Sequence, residues 1–396
     1  MRKISFPLLT AAVCGALTIG GNAAAQTNYW FTDLPSLGGP RSQGYSINDD
    51  GIVAGYSTYA GSGDRHATAW LFAQPRDLGT LGGPNSDVVW PVKNLFGRIA
   101  GISQTAAPEP NGENWSCSAF FSADAIGYTC RGFVWEAGHM RMLPTLGGNN
   151  GFAAGANNRG QSTGWAETTL RDPTCEGAGP GKSGQVLQFL PVIYGPGDNQ
   201  IRALPLLPGD SSGAATALND RGQAVGISGD CDQAVGRNTA RHVVLWDRGH
   251  AIDIGAGKLT APFWNTPNAI NERGDVVGFA GDPADPSGGI THAFIWTKEG
   301  GMQFLSSAGD DNSTATGINE WRQVSGYFVA GDGALHGFVW TAEFGMRDLN
   351  DLRQPGYANT ITLATDINDF GVVTGRATDA SGGRHAFVAV PALTRH

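Results

Sequence analysis

Five of the eight histidines, His66, His242, His292, His336 and His385, stand at one position of a recurring phrase, and the first four have a tryptophan four residues on. Imidazoles repeated in register could ring a metal, but equivalent atoms of successive repeats lie far apart unless they face a common axis. A His and Trp pair asks more simply for buried partners, because imidazole and indole N–H groups need acceptors inside a fold. The recurrent Asn residues and the Asp of Asn-Asp-x-Gly could supply them. Four cysteines, Cys117, Cys130, Cys175 and Cys231, form an even set in a chain that begins like an exported one. They read as disulfides with three possible connectivities, of which Cys117–Cys130 staples one insertion and Cys175–Cys231 ties neighbouring repeats. No CxxC or His spacing supports zinc.

Other chemistry is thinner. "GDSSG" (209–213) looks like a serine-nucleophile loop, but other repeats carry "GGPNS" at that turn and no motif places a His or Asp beside it. The acidic loops "GDPADPSGG" (281–289) and "GDDNS" (309–313) could hold a structural calcium, though neither has EF-hand ligand spacing. No other cofactor is expected.

What must position these residues is a repeat. "INDDGIVAG" at 47 returns at 93, 156, 218, 270, 318 and 367, each copy carrying an Asn (Asn48, Asn94, Asn157, Asn219, Asn271, Asn319, Asn368) and a Gly seven residues later. "RHATAW" (65–70) and "RDLGTLGG" (76–83) recur in register with it. Each unit of about 45–63 residues reads as four short strands, with the Asn, Asp and Gly at a tight turn where φ > 0 is tolerated. No stretch keeps a helical period, and four-stranded units so repeated predict an all-β chain folded as a seven-bladed β-propeller. The first strand, 29–39, looks like a fourth strand without its predecessors, and 384–389 like a third strand without its successor. The expectation is that 29–39 completes the last blade and closes the ring, leaving no long open edge.

Residues 1–25 read as a secretory signal peptide: Met1-Arg2-Lys3, an apolar run, then Ala23-Ala24-Ala25. Bulky Val13 argues against lipidation at Cys14. Residues 26–396 then form one propeller domain in the periplasm or beyond, and no later run is long enough for a transmembrane helix. Losing Arg2 and Lys3 takes the net charge from −9 to −11. So acidic a surface carries no electrostatic footprint for nucleic acid. Gly supplies 59 of 396 residues and charged residues only 15%, which suits short strands, tight turns and a surface of uncharged polar groups.

The phrases "HAFxW", "DLGTLGG" and "INDxGxVVG" together resemble the HAF family of probable extracellular bacterial repeat proteins, over essentially the whole mature chain. The resemblance implies an extracellular repeat protein without an established activity. Two units depart from it: "CRGFVW" lacks the His, and the third unit lacks the strand-3 Trp.

Function is expected where the repeat is interrupted. The long 2–3 and 4–1 loops (104–129, 167–183 and around 256–268) share one face and carry extra aromatics: Trp115, Phe120, Phe121, Phe263, Trp264 and Tyr357. Trp90 stands where every other first strand has Gly, Ala or Pro. Trp90, Trp115, Phe121, Phe263, Trp264 and Tyr357 are therefore the candidate ligand contacts, for a glycan or an envelope or surface protein, in a monomeric, non-catalytic scaffold. The competing expectation is that these aromatics merely pack the insertions down. The alternative function is a secreted polysaccharide hydrolase or lyase, which needs residues such as Glu167, Arg171, Asp172, Asp210 or Asp366 to converge near the axis.

Overall fold

The computed structural model describes residues 28–392, apart from 114–116, 118–119, 122–126, 176–183, 232–240, 256–264, 283, 286–288 and 306–311. The expected leader, with Cys14, and the candidates Trp115, Phe263 and Trp264 lie outside the described residues. Every element named is a β-strand.

The strands form consecutive antiparallel units of four, five of them separate sheets and the first and last joined in one eight-stranded sheet. The first is β2 (Gly38–Ile47), β3 (Val53–Tyr59), β4 (Arg65–Leu71) and β5 (Gln74–Asp77). The second is β6 (Gly82–Asp87), β7 (Ile99–Pro108), β8 (Tyr128–Glu136) and β9 (His139–Met142). Next come β10 (Gly147–Ala156), β11 (Ser162–Arg171), β12 (Leu187–Tyr194) and β13 (Ile201–Ala203), then β14 (Ser212–Leu218), β15 (Ala224–Gly229), β16 (His242–Asp247) and β17 (His250–Asp253). The fifth holds β18 (Thr266–Ile270), β19 (Val276–Gly281), β20 (Thr291–Thr297) and β21 (Gly301–Phe304). The sixth holds β22 (Ser313–Ile318), β23 (Val324–Val329), β24 (Leu335–Thr341) and β25 (Gly345–Asp348). Last come β26 (Thr360–Ile367), β27 (Val373–Thr378) and β28 (Arg384–Pro391), whose outer neighbour is β1 (Tyr29–Asp33), paired antiparallel from Tyr29↔Pro391 to Asp33↔Phe387. This arrangement is propeller-like. The N-terminal strand is shorter than 29–39, because Gly38 and Gly39 already belong to β2. In the same way the Gly-Gly of each "LGG" opens the following inner strand rather than ending the outer one.

The repeat's Asn and Gly each have a physical reason. The Asn side-chain oxygen accepts the amide four residues on in every copy, from Ile52 at Asn48 to Val372 at Asn368, and so closes the turn. The Gly sits opposite a bulge in the first strand. A Cβ on Gly55, Gly101, Gly164, Gly226, Gly278, Gly326 or Gly375 would lie far inside contact with the carbonyl oxygen of Gln43, Asp87, Phe152, Ala214, Thr266, Thr314 or Leu363. At Gly101 and Gly326 the missing Cβ also makes room for the rings of Phe133 and Phe338. These, with Phe294 and Phe387, are the third-strand phenylalanines that pair with the repeat Gly, and all four are fully buried, each worth roughly 1.5–3 kcal/mol of burial. The core lies between the faces of neighbouring units: one cluster joins Val225, Val243 and Leu245 of the fourth to Ile270, Val276 and Phe294 of the fifth.

Both disulfides form as expected, Cys117–Cys130 and Cys175–Cys231, and suit an oxidising compartment. No helix among the described residues is long and apolar enough to cross a membrane.

Candidate functional site

A cavity lies at each end of the inner strands β2, β6, β10, β14, β18, β22 and β26. At the turn end, the Asn side chains link one unit to the next. Their Nδ2 groups donate to backbone carbonyls in the succession Asn48 to Asn94, Asn157 to Asn219, Asn219 to Asn271, Asn271 to Asn319, Asn319 to Asn368 and Asn368 back to Asn48. Asn94 turns to Arg98 instead, and the step to the third unit is made by the Leu95 amide donating to Asn158. A second succession follows one residue on, as the amides of Asn158, Asp220, Glu272, Glu320 and Asp369 donate to the side chains of Asp220, Glu272, Glu320, Asp369 and Asp49. The cavity inside this ring is small, about 130 Å³, and its rim is acidic. Beside it stands an ion pair, Lys93 Nζ to Asp366 Oδ1 at 2.8 Å, with Asp366 fully buried. Burial pushes the Asp366 carboxyl up, and Lys93 offsets part of that.

The cavity at the strand-start end, where the 2–3 and 4–1 loops emerge, is larger, about 310 Å³, and within the range of small-ligand sites. Part of its wall repeats: Asn268 and the hydroxyls of Thr316 and Thr365 donate to the carbonyls of Ala315, Ala364 and Gly44 in the next unit. Thr216 does the same to Pro267. Tyr45, Pro91 and Ala154 occupy the same position in the first three units and break this succession. Into the gap comes Trp90, half-buried, edge-on to Phe120 at 5.7 Å and to Phe152 at 5.1 Å, with Phe152 stacked on Trp165 at 4.3 Å. Tyr45, Trp90, Phe279, Tyr327, Gln43 and Arg376 complete the lining.

Next to Tyr45 is a group of buried ionisable residues. Arg65 lies over the Tyr56 ring at 4.5 Å and reaches Asp87 at 3.4 Å. Asp87 Oδ1 meets no donor in hydrogen-bond geometry, although the Val88 amide lies close enough to favour the charge. Burial pushes the Asp87 carboxyl up to about 7 against the pull of Arg65. Burial, followed by the Asp87 charge, raises the Tyr45 phenol.

Of the expected ligand contacts among the described residues, Trp90 alone lines the cavity. Phe121 is 4% exposed within the cluster around Cys117, Cys130 and Phe152, so it packs an insertion down. Tyr357 stacks on Phe31 at 5.2 Å and donates its hydroxyl to Asp33, so it fastens β1. The carboxylates expected to converge do not. Glu167 is buried beneath Asn149 and Asn150, accepting both amides, and burial followed by the charge of Glu113 pushes it up to about 7. Asp172 caps Thr174 and accepts from Ser212. Asp210 accepts from Ser228, and Arg171 is exposed. Asp172 also lies near Cys175 and Cys231, but those sulfurs are bonded to each other. Asp282 and Asp285 of the acidic loop hold Ala284, Gly289, Ile290 and His292 of their own loop, while 309–311 lie outside the described residues.

The histidines pair with aspartates other than those of the turn. His66, His242 and His336 meet Asp77, Asp253 and Asp348 of the fourth strand, at 3.0, 2.9 and 2.6 Å. His292 and His385 meet Asp282 and Asp379 of the 2–3 loop. The indoles of Trp70 and Trp246 donate to the carbonyls of Pro35 and Pro205. Sequence reading missed Arg376 and Lys93, and named Asp366 only among the residues an enzymatic alternative would need. The signal was present, since each breaks a repeat position held elsewhere by uncharged residues.

No protein family's sequence profile matches the chain, and no curated protein matches it in sequence. In structure it is similar to a puromycin hydrolase (14% identity, TM-score 0.45, covering 86% of this chain and 50% of that one). It is also similar to the Pyrococcus horikoshii acylaminoacyl peptidase (9%, 0.48, 92% and 51%) and to a lectin from Burkholderia pseudomallei (12%, 0.39, 91% and 95%). The chain spans about half the length of the first two.

Proposed function

We propose that the chain is a seven-bladed β-propeller of the HAF-repeat kind, closed where β1 pairs with β28, and exported to the periplasm or beyond. It acts as a non-catalytic binding scaffold for a glycan of the cell envelope or surroundings. The succession of Asn side chains that leaves Asn48 and returns to it supports seven units in a closed ring. The observation that carries the functional reading is the larger cavity. The aromatic residues Tyr45, Trp90 and Tyr327 line it together with the polar residues Thr316, Thr365, Asn268 and Gln43, and sugars present both an apolar face and a fringe of hydroxyls. A glycan array followed by calorimetry on the mature protein tests it. Trp90→Ala should weaken the saccharide signal at least about tenfold, a loss of about 1.4 kcal/mol, whereas binding insensitive to Trp90 removes the site.

A second reading, polysaccharide hydrolase or lyase, draws on Asp87, whose carboxyl is poised near neutrality beside Tyr45. It requires chain shortening that Asp87→Asn abolishes; polysaccharide left intact after long incubation leaves the scaffold alone.

A further inference from the structure

The residue following the repeat glycine is Tyr56, Ile102, Trp165, Ile227, Phe279 and Tyr327 in the first six units and Arg376 in the seventh. That one exchange puts a half-buried guanidinium into the wall of the larger cavity. Its Nε donates to Thr362 Oγ1 at 3.0 Å, and one terminal nitrogen reaches Gln43 Oε1 at 3.5 Å. Both contacts are neutral. Among the described residues no carboxylate forms an ion pair with Arg376 or with Arg384, the nearby cation that repels it. Arg65 and Arg241, which precede the repeat histidine as Arg384 does, are paired with Asp87 and Asp230. Burial, with repulsion from Arg384 second, lowers the Arg376 pKa, the mark of a cation short of counter-charge. In a chain of net charge −9, counter-charge is plentiful elsewhere.

We infer that the larger cavity takes a carboxylate-bearing saccharide, a uronic-acid oligosaccharide, with Arg376 as the anchor for the carboxylate. This rests on the glycan-binding reading above and names the class of glycan. A guanidinium presents parallel N–H donors that match a carboxylate two to two. The rest of the lining fits a sugar better than an acidic peptide. Thr316, Thr365 and Asn268 donate to backbone carbonyls, so their oxygens are left to accept from hydroxyls, while Tyr45 and Trp90 supply aromatic lining. The overall acidic surface repels polyanions generally, which leaves this cavity as the place where one is admitted.

The test is calorimetry on the mature protein with tetragalacturonate, neutral galactotetraose, and tetraglutamate as a peptide of equal charge. Wild type should bind the uronate roughly tenfold to a hundredfold more tightly than the neutral sugar. Arg376→Gln should erase that margin while keeping its melting temperature, and Arg376→Lys should restore part of it. Equal binding of neutral and acidic sugars, unmoved by Arg376→Gln, overturns the charge assignment and leaves the glycan reading intact. Binding of tetraglutamate as tight as that of the uronate overturns the saccharide. Binding of neither sugar, here or on an array, overturns the glycan reading itself.

Discussion

The two ends of the inner strands are built from one repeat and behave differently. At the turn end all seven copies of the Asn close their own turn alike, and the space shrinks to about 130 Å³. At the strand-start end the repeat holds over part of the wall and fails where Tyr45, Trp90, Pro91 and Arg376 stand, and the space opens to about 310 Å³. In six of the seven copies the Asn links its unit to the next through an amide that also closes its own turn, so a change there costs two hydrogen bonds. At the far end Thr216, Thr316 and Thr365 make such a double link, but Tyr45, Pro91 and Ala154 stand at the same position in the first three units and break it. Regularity at one end therefore leaves the other free to vary, which is where a ligand site belongs.

The strongest way to break this contrast is to remove β1. Tyr29 and Phe31 are 5% and 4% exposed within the core of the last unit, and losing two such aromatics costs on the order of 6 kcal/mol. A chain lacking 28–33 should melt far below wild type or fail to fold, by calorimetry; an unchanged melting temperature would mean the last unit needs no fourth strand.

A smaller effect sharpens it at the regular end. Lys93→Ile leaves buried Asp366 without its cation and should cost about 3–5 kcal/mol by chemical denaturation. Lys93→Ile with Asp366→Ala restores uncharged residues of the kind the other units carry and should recover nearly all of that loss. If the double variant is no better than the single, the pair is not the compensation we describe.

The gentlest probe is pH. Glu167, raised from its ordinary 4.5 to about 7, keeps in the folded protein a proton that the unfolded chain releases. The folded state then binds more protons between those values, so stability falls as pH rises through that window. The drop is roughly 3 kcal/mol. Glu167→Gln should flatten this part of the stability profile; a slope that survives the substitution assigns it to Asp87, which titrates in the same direction.

Much of the fold was legible because its constraints are local and repeated. Asn48 to Asn368 close turns through their own backbone, and the partner Gly of each must clear a bulge, so both leave a fixed spacing in the chain. The cysteine pairs were legible because all four cysteines lie between second and third strands or, as Cys130 does, near the start of a third strand. Contacts between units were not. That His66 would meet Asp77 rather than a turn aspartate depends on which strand face each occupies. That Phe121 and Tyr357 pack inward depends on what lies beneath them. Arg376 and Lys93, and the pairing of Lys93 with Asp366, were readable only by asking which residue each copy of the repeat had replaced.

The seam between β1 and β28 has a mechanical consequence. Tyr29 faces Pro391, and the Ala392 amide donates to the Asn28 carbonyl, so both strands leave the sheet side by side. Tension applied across residues 28 and 392 would load these hydrogen bonds one after another, as a zipper opens, rather than all together in shear. Anchored through one of these ends, the molecule bears drag without stressing the seam. Held by both, it parts there first.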